Sequence, residues 1–307
     1  MSKKSKHMKG IIFSLVLLLI AGTLSACAGK SEETIKIGSK EFTEQLLLGQ
    51  ITILALEDAG YKVEDKTGVA GSDKVRLALE NGDFDMYWEY TGTAWLSQLQ
   101  HEEPITDSQE AYEKVREEDT GNGFEWLQYA PLNNTYTLMM RREDSERLGI
   151  KSISDLAEYI NENPGELITA IDHEFSIRPD GYPGVQEHYG FKQDEDEIKI
   201  MDLGIMYKTL KEKQVDVAMG FATDGRIAAY DLVNLEDDKS FFPVYNPSPV
   251  LRKELLENNP ELKETLGKIA TLLDTETMTK LNFDVDINER EPEEVAREWL
   301  ESQGLID

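Results

Sequence analysis

Aromatic side chains collect at a few places in the chain where they could bind a ligand. Residues 87–95, YWEYTGTAW, crowd aromatics around one glycine, although aromatics make up only 8% of the chain. Four turns at predicted strand ends carry an aromatic: Tyr90, Tyr136, Phe221 and Tyr245. Several ring faces around one pocket attract a cation, above all a quaternary ammonium group that has no N–H to hydrogen-bond. These four side chains could therefore form an aromatic cage, and the alternative that their positions leave open is that each ring packs in the core or at its rim.

A basic side chain opposite the cage would extend its selectivity to a carboxylate. Arg178 follows another predicted strand, and an arginine can hold a carboxylate with paired hydrogen bonds. The cage and Arg178 together would select a small zwitterion. Two other interpretations stay open, because Lys40 could be a solvated turn residue and Arg178 could form a salt bridge within its own lobe. The candidate partners for that salt bridge are Asp172, Glu174 and Asp180.

Other side chains near these turns are predicted to have structural roles. Thr223 and Asp224 fit an N-cap pair for the following helix better than they fit ligand contacts. Strand alternation places Trp88 on the same face as Tyr90 but deeper in the sheet. Trp88 and Trp95 are therefore predicted to belong to the core.

Strands and helices alternate along the chain, and this order predicts parallel-rich sheets flanked by helices. The pattern restarts near residue 136 and changes again near residue 246. We therefore predict a two-lobed α/β fold in which lobe I comprises residues 34–136 and 247–307 and lobe II comprises residues 137–246. Ligands of open α/β sheets lie at the carboxyl ends of strands, which places the ligand in the cleft between the lobes.

The first 26 residues have the pattern of an export signal. Four lysines and no acidic residue precede the apolar run Ile11–Ile20, which is shorter than the about 20 residues of a membrane span. Cys27, the only cysteine, lies where the lipobox of bacterial lipoproteins places its lipid-modified residue. This resemblance implies cleavage before Cys27, a lipid anchor on the outer face of a bacterial cell membrane, with a Gram-positive cell favoured, and a tether over residues 27–33.

The composition and the missing motifs exclude several classes of function. The formal net charge of −28 at pH 7 would repel nucleic acid phosphates, so no nucleic acid partner is expected. No H-E-x-x-H, G-x-S-x-G, P-loop or cysteine/histidine metal spacing occurs, so neither an enzyme nor a metal or other cofactor is predicted. The adjacent His173 and Glu174 near Asp172 cannot close a metal site unaided.

Six segments of the chain resemble one family. These are the substrate-binding lipoproteins of osmoprotectant ABC transporters, the glycine betaine/choline/carnitine-binding proteins with the type II periplasmic-binding-protein fold. The resemblance runs from about Ile35 to the C-terminus. It is carried by residues 38–45 (GSKEFTEQ), 89–93 (EYTGT), 134–136 (NTY), 178–182 (RPDGY), 223–225 (TDG) and Tyr245.

The resemblance implies roles for individual residues. Tyr90, Tyr136 and Tyr245 match cage tyrosines of the family. Phe221 stands where many members have tyrosine, so this cage keeps the ring face and loses one hydroxyl. The positions implied to contact the carboxylate or polar end of the ligand are Lys40, Thr93, Asn134 and Arg178.

The same resemblance implies a function in import. The ligand would be a quaternary ammonium compatible solute, and Arg178 favours a carboxylated one such as glycine betaine or proline betaine. The implied partner is the permease of an ABC transporter, and such receptors are usually monomers. The alternative is a binding lipoprotein for a different small solute or for a sensor partner. Selectivity for the quaternary charge would separate the two functions.

Overall fold

The strands form two five-stranded sheets in the computed structural model, which describes residues 34–307. In spatial order the first sheet consists of β2 (Val63–Val69), β1 (Ile35–Lys40), β3 (Met86–Tyr90), β10 (Pro247–Arg252) and β4 (Phe124–Trp126). The second sheet consists of β7 (Ile198–Ile200), β6 (Thr169–Ile171), β8 (Val217–Phe221), β5 (Tyr136–Arg141) and β9 (Leu232–Asn234). The predicted export signal, the tether and Cys27 lie outside the described residues. Within residues 34–307, no helix has the length and apolar character needed to cross a membrane.

Helices flank both sheets, which confirms the predicted two-lobed α/β class. Those between strands of the first sheet are α1 (Thr43–Asp58), α2 (Ser72–Asn81), α3 (Thr91–Thr93, continued by a π-helical turn at Ala94–Gln98) and α4 (Ser108–Gly121). Those between strands of the second sheet are α5 (Arg142–Leu148), α6 (Ile153–Glu162), α7 (Tyr182–Tyr189), α8 (Leu203–Lys211) and α9 (Arg226–Ala229), with a 3-10 turn at Glu195–Glu197. The C-terminal helices are α10 (Lys253–Asn258), α11 (Leu262–Leu272), α12 (Thr275–Asp286) and α13 (Pro292–Ser302).

Both sheets are mixed rather than parallel-rich, because in each of them one strand enters from the other sheet. In the first sheet β1 is parallel to β2 and β3, whereas β10 is antiparallel to β3 and β4. In the second sheet β6 is parallel to β7 and β8, whereas β5 is antiparallel to β8 and β9. The entering strands β5 and β10 begin beside the carboxyl ends of their neighbours and so run in the opposite direction.

This arrangement brings predicted site residues side by side. Tyr136, the first residue of β5, pairs with Phe221, the last residue of β8. Pro247, the first residue of β10, pairs with Tyr90, the last residue of β3. Tyr245 comes just before β10. At each of the two points where the chain passes from one sheet to the other, an aromatic residue therefore lies next to a strand end that carries a second aromatic residue.

The two tryptophans predicted as core differ in their surroundings. Trp88 is buried, and its indole N–H donates to Thr52 Oγ1 at 2.9 Å. Trp95 is only half-buried, and its ring stacks on His101 with the centroids 3.4 Å apart. The prediction for Trp95 was wrong because this residue lies in the π-helical turn after β3, at the edge of the core rather than inside it.

The start of α2 also differs from the simplest expectation. A serine at this point suggests an N-cap, but Ser72 is the first helical residue and Gly71 holds the cap position. Gly71 has φ of 87°, which glycine adopts without steric cost. The backbone N–H of Ser72 instead donates to Glu174 Oε2, 3.1 Å away in the second lobe.

Candidate functional site

The four aromatic side chains predicted at strand ends lie together between the two sheets. The ring centroid of Tyr136 is 5.3 Å from that of Phe221 and 5.3 Å from that of Tyr245. Phe42, just after β1, stacks 5.1 Å from Phe221 and 6.2 Å from Tyr90. The structure therefore brings all four predicted rings together and adds a fifth. We call these five rings the aromatic cluster.

The aromatic cluster lines a small cavity. Its volume is about 30 Å³, which is space for about one water molecule. The rest of the wall consists of Lys40, Glu41, Ser72, Thr93, Asn134, Asp172, Glu174 and Leu203. Several of these residues also line a cleft of about 1210 Å³, which Arg178 borders as well.

Hydrogen bonds orient two of the tyrosine rings. The hydroxyl of Tyr90 donates to Glu44 Oε1 at 2.7 Å, and the hydroxyl of Tyr245 donates to Asp180 Oδ2. Burial is the main reason that the pKa values of Tyr90, Tyr136 and Tyr245 lie well above the ordinary value of 10.0. The three phenols therefore stay neutral at physiological pH.

Lys40 is a buried ion-pair residue rather than a solvated turn residue. Its ammonium group lies 2.6 Å from Glu89 Oε1, and both side chains are buried. Glu89 Oε2 accepts further hydrogen bonds from Tyr87 and Gln98, at 2.9 and 2.6 Å. The Lys40 ammonium also lies 5.2 Å from the ring centroid of Tyr90. Its charge is balanced by a carboxylate of the same lobe.

Arg178 forms the lobe-internal salt bridges that were considered for it. Its guanidinium donates to both oxygens of Asp180, at 2.8 and 2.6 Å, and to Glu174 Oε1 at 2.9 Å. Its Nη2 lies 3.4 Å from Thr93 Oγ1, across the cleft. The guanidinium carbon is 5.4 Å from the ring centroid of Tyr136. Arg178 thus pairs with two carboxylates of its own lobe.

The carboxyl groups of Asp172 and Glu174 both face the small cavity. Burial, reinforced by the charge of Glu174, raises the pKa of Asp172 to about 6, although a hydrogen bond from the N–H of Phe175 opposes this. Burial acts in the same direction on Glu174, but the charges of Lys40 and Arg178 outweigh it and lower the pKa of Glu174. Glu174 is therefore ionised at neutral pH. The polar part of the cavity wall favours a ligand that carries positive charge.

The N-cap prediction for Thr223 was wrong. Its hydroxyl lies 2.6 Å from Glu44 Oε2 and 2.8 Å from Asn134 Oδ1, in a buried network between the lobes. Asn134 in turn donates to Glu44 Oε1 at 2.9 Å. Helix α9 begins only at Arg226, whose N–H donates to Asp224 Oδ1 at 2.9 Å. Thr223 is held away from the helix because Glu44 and Asn134 offer its hydroxyl buried partners.

Phe42, Glu44 and Glu174 are among the residues of the site that were missed as contacts in the sequence. Phe42 and Glu44 lie in the segment 38–45, GSKEFTEQ, which carries part of the family resemblance, so their positions after β1 were the available signal. Glu174 was considered as an alternative partner of Arg178 and as one member of an incomplete metal site, but not as a residue of the ligand site. Nothing in the local sequence indicates that Glu174 reaches Ser72 in the other lobe.

Acidic side chains near the cavity do not gather into a metal site. Within residues 34–307, no group of three or more His, Cys, Asp or Glu side chains is arranged to hold a metal ion. Glu174 is already engaged by Arg178 and by the N–H of Ser72. The site is therefore a combination of ring faces and hydrogen-bonding groups.

Comparisons with known proteins identify the family of the chain. The family model described as the substrate binding domain of an ABC-type glycine betaine transport system matches residues 33–302. The chain is 40% identical over 300 residues to a glycine-betaine-binding protein of Pseudomonas aeruginosa, with 94% of this chain and 96% of that protein covered. It is 34% identical over 310 residues to a carnitine transport binding protein of Listeria monocytogenes, with 96% and 97% covered. The crystal structure of a glycine betaine/carnitine/choline ABC transporter protein matches with a TM-score of 0.72 and 32% identity, covering 89% of this chain and all of that one.

Proposed function

The chain belongs to the family of substrate-binding domains of ABC-type glycine betaine transport systems, and we propose that its own ligand is a quaternary ammonium solute held by the aromatic cluster. The observation that carries this proposal is the meeting of five rings, with neutral tyrosines among them, between the two sheets. Glycine betaine is the first candidate, because the relative that is 40% identical is named for it. Import of such a solute would protect the cell against osmotic stress.

The rings suit a cation that cannot donate hydrogen bonds. Each ring face contributes about 0.5–2 kcal/mol when the contact is dry. The hydroxyls of Tyr90 and Tyr245 point to Glu44 and Asp180, so the faces of these rings need little reorientation. Phe42 and Phe221 offer only ring faces and carbon edges. A primary ammonium ion would lose hydrogen bonds to water in such a cage and would bind more weakly.

Binding is coupled to closure of the cleft. Tyr90 ends a strand of the first sheet, whereas Tyr136 and Phe221 belong to the second sheet. A cation between these rings therefore contacts both lobes at once and stabilises the closed arrangement over the open one. The closed surface is what the permease would recognise before the ligand is released into the transport path.

We also propose that the mature protein is a monomer attached to the outer face of the cell membrane through lipid on Cys27. The lipobox-like segment Leu24–Cys27 supports the anchor. The variant Cys27→Ala should carry no lipid, so it should be absent from the lipid-modified fraction that contains the wild type. Detergent partitioning of both forms, with mass spectrometry of the N-terminal peptide, tests this. An unmodified Cys27 in membrane fractions would remove the anchor from the proposal.

The ligand is tested by calorimetric titration of the full chain in detergent micelles. The panel contains glycine betaine, choline, glycine and the uncharged tert-butyl analogue of choline. We expect saturable binding of at least one quaternary ligand and much weaker binding of glycine and of the uncharged analogue. Equal affinity for choline and its uncharged analogue would refute the cage, because the two differ only in charge.

A ring-removal variant tests the assignment of the cluster. Tyr136→Leu keeps an apolar side chain in the core but removes one cation-binding face, so the Kd should rise about 3- to 30-fold. Tyr129→Leu is the matched control, since Tyr129 is a half-buried tyrosine outside the cavity wall. An unchanged Kd in Tyr136→Leu would exclude Tyr136 from the cage.

A further inference from the structure

Glu174 forms a bridge between the two lobes at the edge of the aromatic cluster. Its Oε1 accepts a hydrogen bond from Arg178 Nη1 at 2.9 Å, and its Oε2 accepts one from the N–H of Ser72 at 3.1 Å. Ser72 opens the ten-residue helix α2, whose first N–H groups carry partial positive charge. The Glu174 carboxylate therefore accepts hydrogen bonds from a guanidinium and from a helix N-terminus. Both are groups that commonly bind the carboxylates of ligands.

Lys40 and Arg178, the basic side chains beside this position, are already paired with carboxylates. The ammonium of Lys40 is 2.6 Å from Glu89, and the remaining edge of Arg178 is paired with Asp180. Asp172 also faces the same cavity. A ligand carboxylate that enters next to the aromatic cluster would therefore meet two cations that already face their own carboxylates.

We propose that Glu174 occupies the position of a ligand carboxylate and thereby determines how strongly this protein distinguishes carboxylated from uncarboxylated quaternary ammonium solutes. This inference rests on the proposed function of the aromatic cluster. A betaine has to displace Glu174 from Arg178 and Ser72, or to bind beside it against like-charge repulsion. Choline needs neither step, because its polar end is a neutral hydroxyl that can hydrogen-bond to the carboxylate.

The decisive variant is Glu174→Gln. The amide oxygen of the glutamine can still accept from the N–H of Ser72 or from Arg178, but not from both, so the variant keeps the size of the side chain and one of its two contacts while the competing charge is lost. We expect the ratio of the Kd for glycine betaine to the Kd for choline to fall by about tenfold or more, which corresponds to about 1.4 kcal/mol. The measurement is calorimetric titration of the full-length wild type and variant with both ligands under the same buffer and salt.

Glu41→Gln is the matched control. Glu41 also lines the cavity and accepts a hydrogen bond from the N–H of Gly71, at 3.2 Å, but it is not paired with Arg178. Its substitution removes the same charge from the cavity wall. If Glu41→Gln changes the ratio of the two Kd values as much as Glu174→Gln does, the change comes from the overall negative charge of the cavity wall. The inference about Glu174 is then wrong.

The remaining outcomes separate the inference from the function on which it rests. If both ligands bind and both weaken equally in Glu174→Gln, Glu174 is only a structural bridge and the inference is overturned while the cage stands. If neither quaternary ligand saturates the wild type or the variant, the proposed function fails and the inference fails with it. A selective gain for glycine betaine supports both.

Discussion

The substitution Glu44→Gln tests whether a buried carboxyl group beside the cage is neutral. Glu44 is buried between the lobes, and each of its oxygens has two partners. Oε1 lies 2.7 Å from the hydroxyl of Tyr90 and 2.9 Å from Asn134 Nδ2. Oε2 lies 2.6 Å from Thr223 Oγ1 and 3.3 Å from Asn282 Nδ2. The protonation state of Glu44 can therefore be inferred by comparing the number of available protons with the number of close acceptor atoms.

Thr223 carries one hydroxyl proton but has two close oxygen neighbours, Glu44 Oε2 and Asn134 Oδ1, at 2.6 and 2.8 Å. If Glu44 is ionised, the proton can serve only one of these contacts. If Glu44 is protonated, it donates to Thr223 and Thr223 donates to Asn134, so each proton is used once. Burial also raises the pKa of Glu44, against the effect of its hydrogen bonds. We therefore predict a neutral carboxylic acid at neutral pH.

The magnitude follows from the contacts that glutamine can keep. The glutamine oxygen retains the bonds from Tyr90 and Asn134, and the amide N–H replaces the acid proton towards Thr223. Only the second amide hydrogen, which faces Asn282 Nδ2, is mismatched, so the expected cost is about 1 kcal/mol. An ionised Glu44 would instead lose two charge-assisted bonds at Oε2, at about 1.5–3 kcal/mol each, or about 3–6 kcal/mol in total.

The assay is urea unfolding of wild type and Glu44→Gln at several pH values. A carboxyl whose folded pKa is raised above its unfolded value of 4.5 makes the folded state bind more protons between these two values. The stability of wild type relative to Glu44→Gln should therefore be fully present below about pH 4.5 and be lost as the pH rises through the folded pKa. Glu44→Ala, which leaves the surrounding groups without a partner, should cost about 3 kcal/mol or more and serves as the sensitivity control.

A cost of 3 kcal/mol or more for Glu44→Gln at pH 7 would refute the neutral acid. So would a wild-type stability that falls relative to the variant as the pH is lowered below 4.5, since a carboxyl with a lowered pKa loses its contribution there. The ligand Kd should change less than about threefold in Glu44→Gln, because the hydroxyl of Tyr90 keeps its acceptor and the ring stays in place.

Three further substitutions test separate parts of the structure. Asp119→Ala removes the buried carboxylate that pairs with Arg76 at 2.7 Å and accepts from the indole N–H of Trp126, and it leaves Arg76 with the more exposed Glu80. It should lower the free energy of unfolding by about 3–5 kcal/mol in urea titrations; a loss below 1 kcal/mol would contradict a buried pair. Gly92→Ala adds a Cβ atom 2.9 Å from Tyr245 Cδ1, so ligand binding should weaken about tenfold or more by calorimetry, and unchanged binding would show that the cage tolerates this shift. Asp172→Asn should abolish the fall in affinity for a cationic ligand that we expect in wild type as the pH drops through about 6; persistence of that fall in the variant would assign it to another group.

The strand-end aromatics and the two-lobed α/β class could be predicted because they depend on local patterns. Tyr90, Tyr136 and Phe221 close or open strands whose alternation is visible over a few residues. Once the strands are located, the rule that ligands lie at their carboxyl ends predicts where these rings meet. Tyr245 was predicted from the same kind of local pattern. The segment that contains Phe42 was also identified, but Phe42 itself was not predicted to contribute a ring to the cage.

Only the tertiary structure decided which charges near the cage are free. Lys40 pairs with Glu89, which is 49 positions away in the chain. Glu174 contacts both Arg178 and the N–H of Ser72, and Ser72 is 102 positions away from Glu174 in the chain. Local patterns identify a basic or acidic side chain but carry no information on its neighbours across a cleft. Coulomb energy depends on distance in space and on burial, so the partners of these charges are determined by how the two sheets and their helices come together.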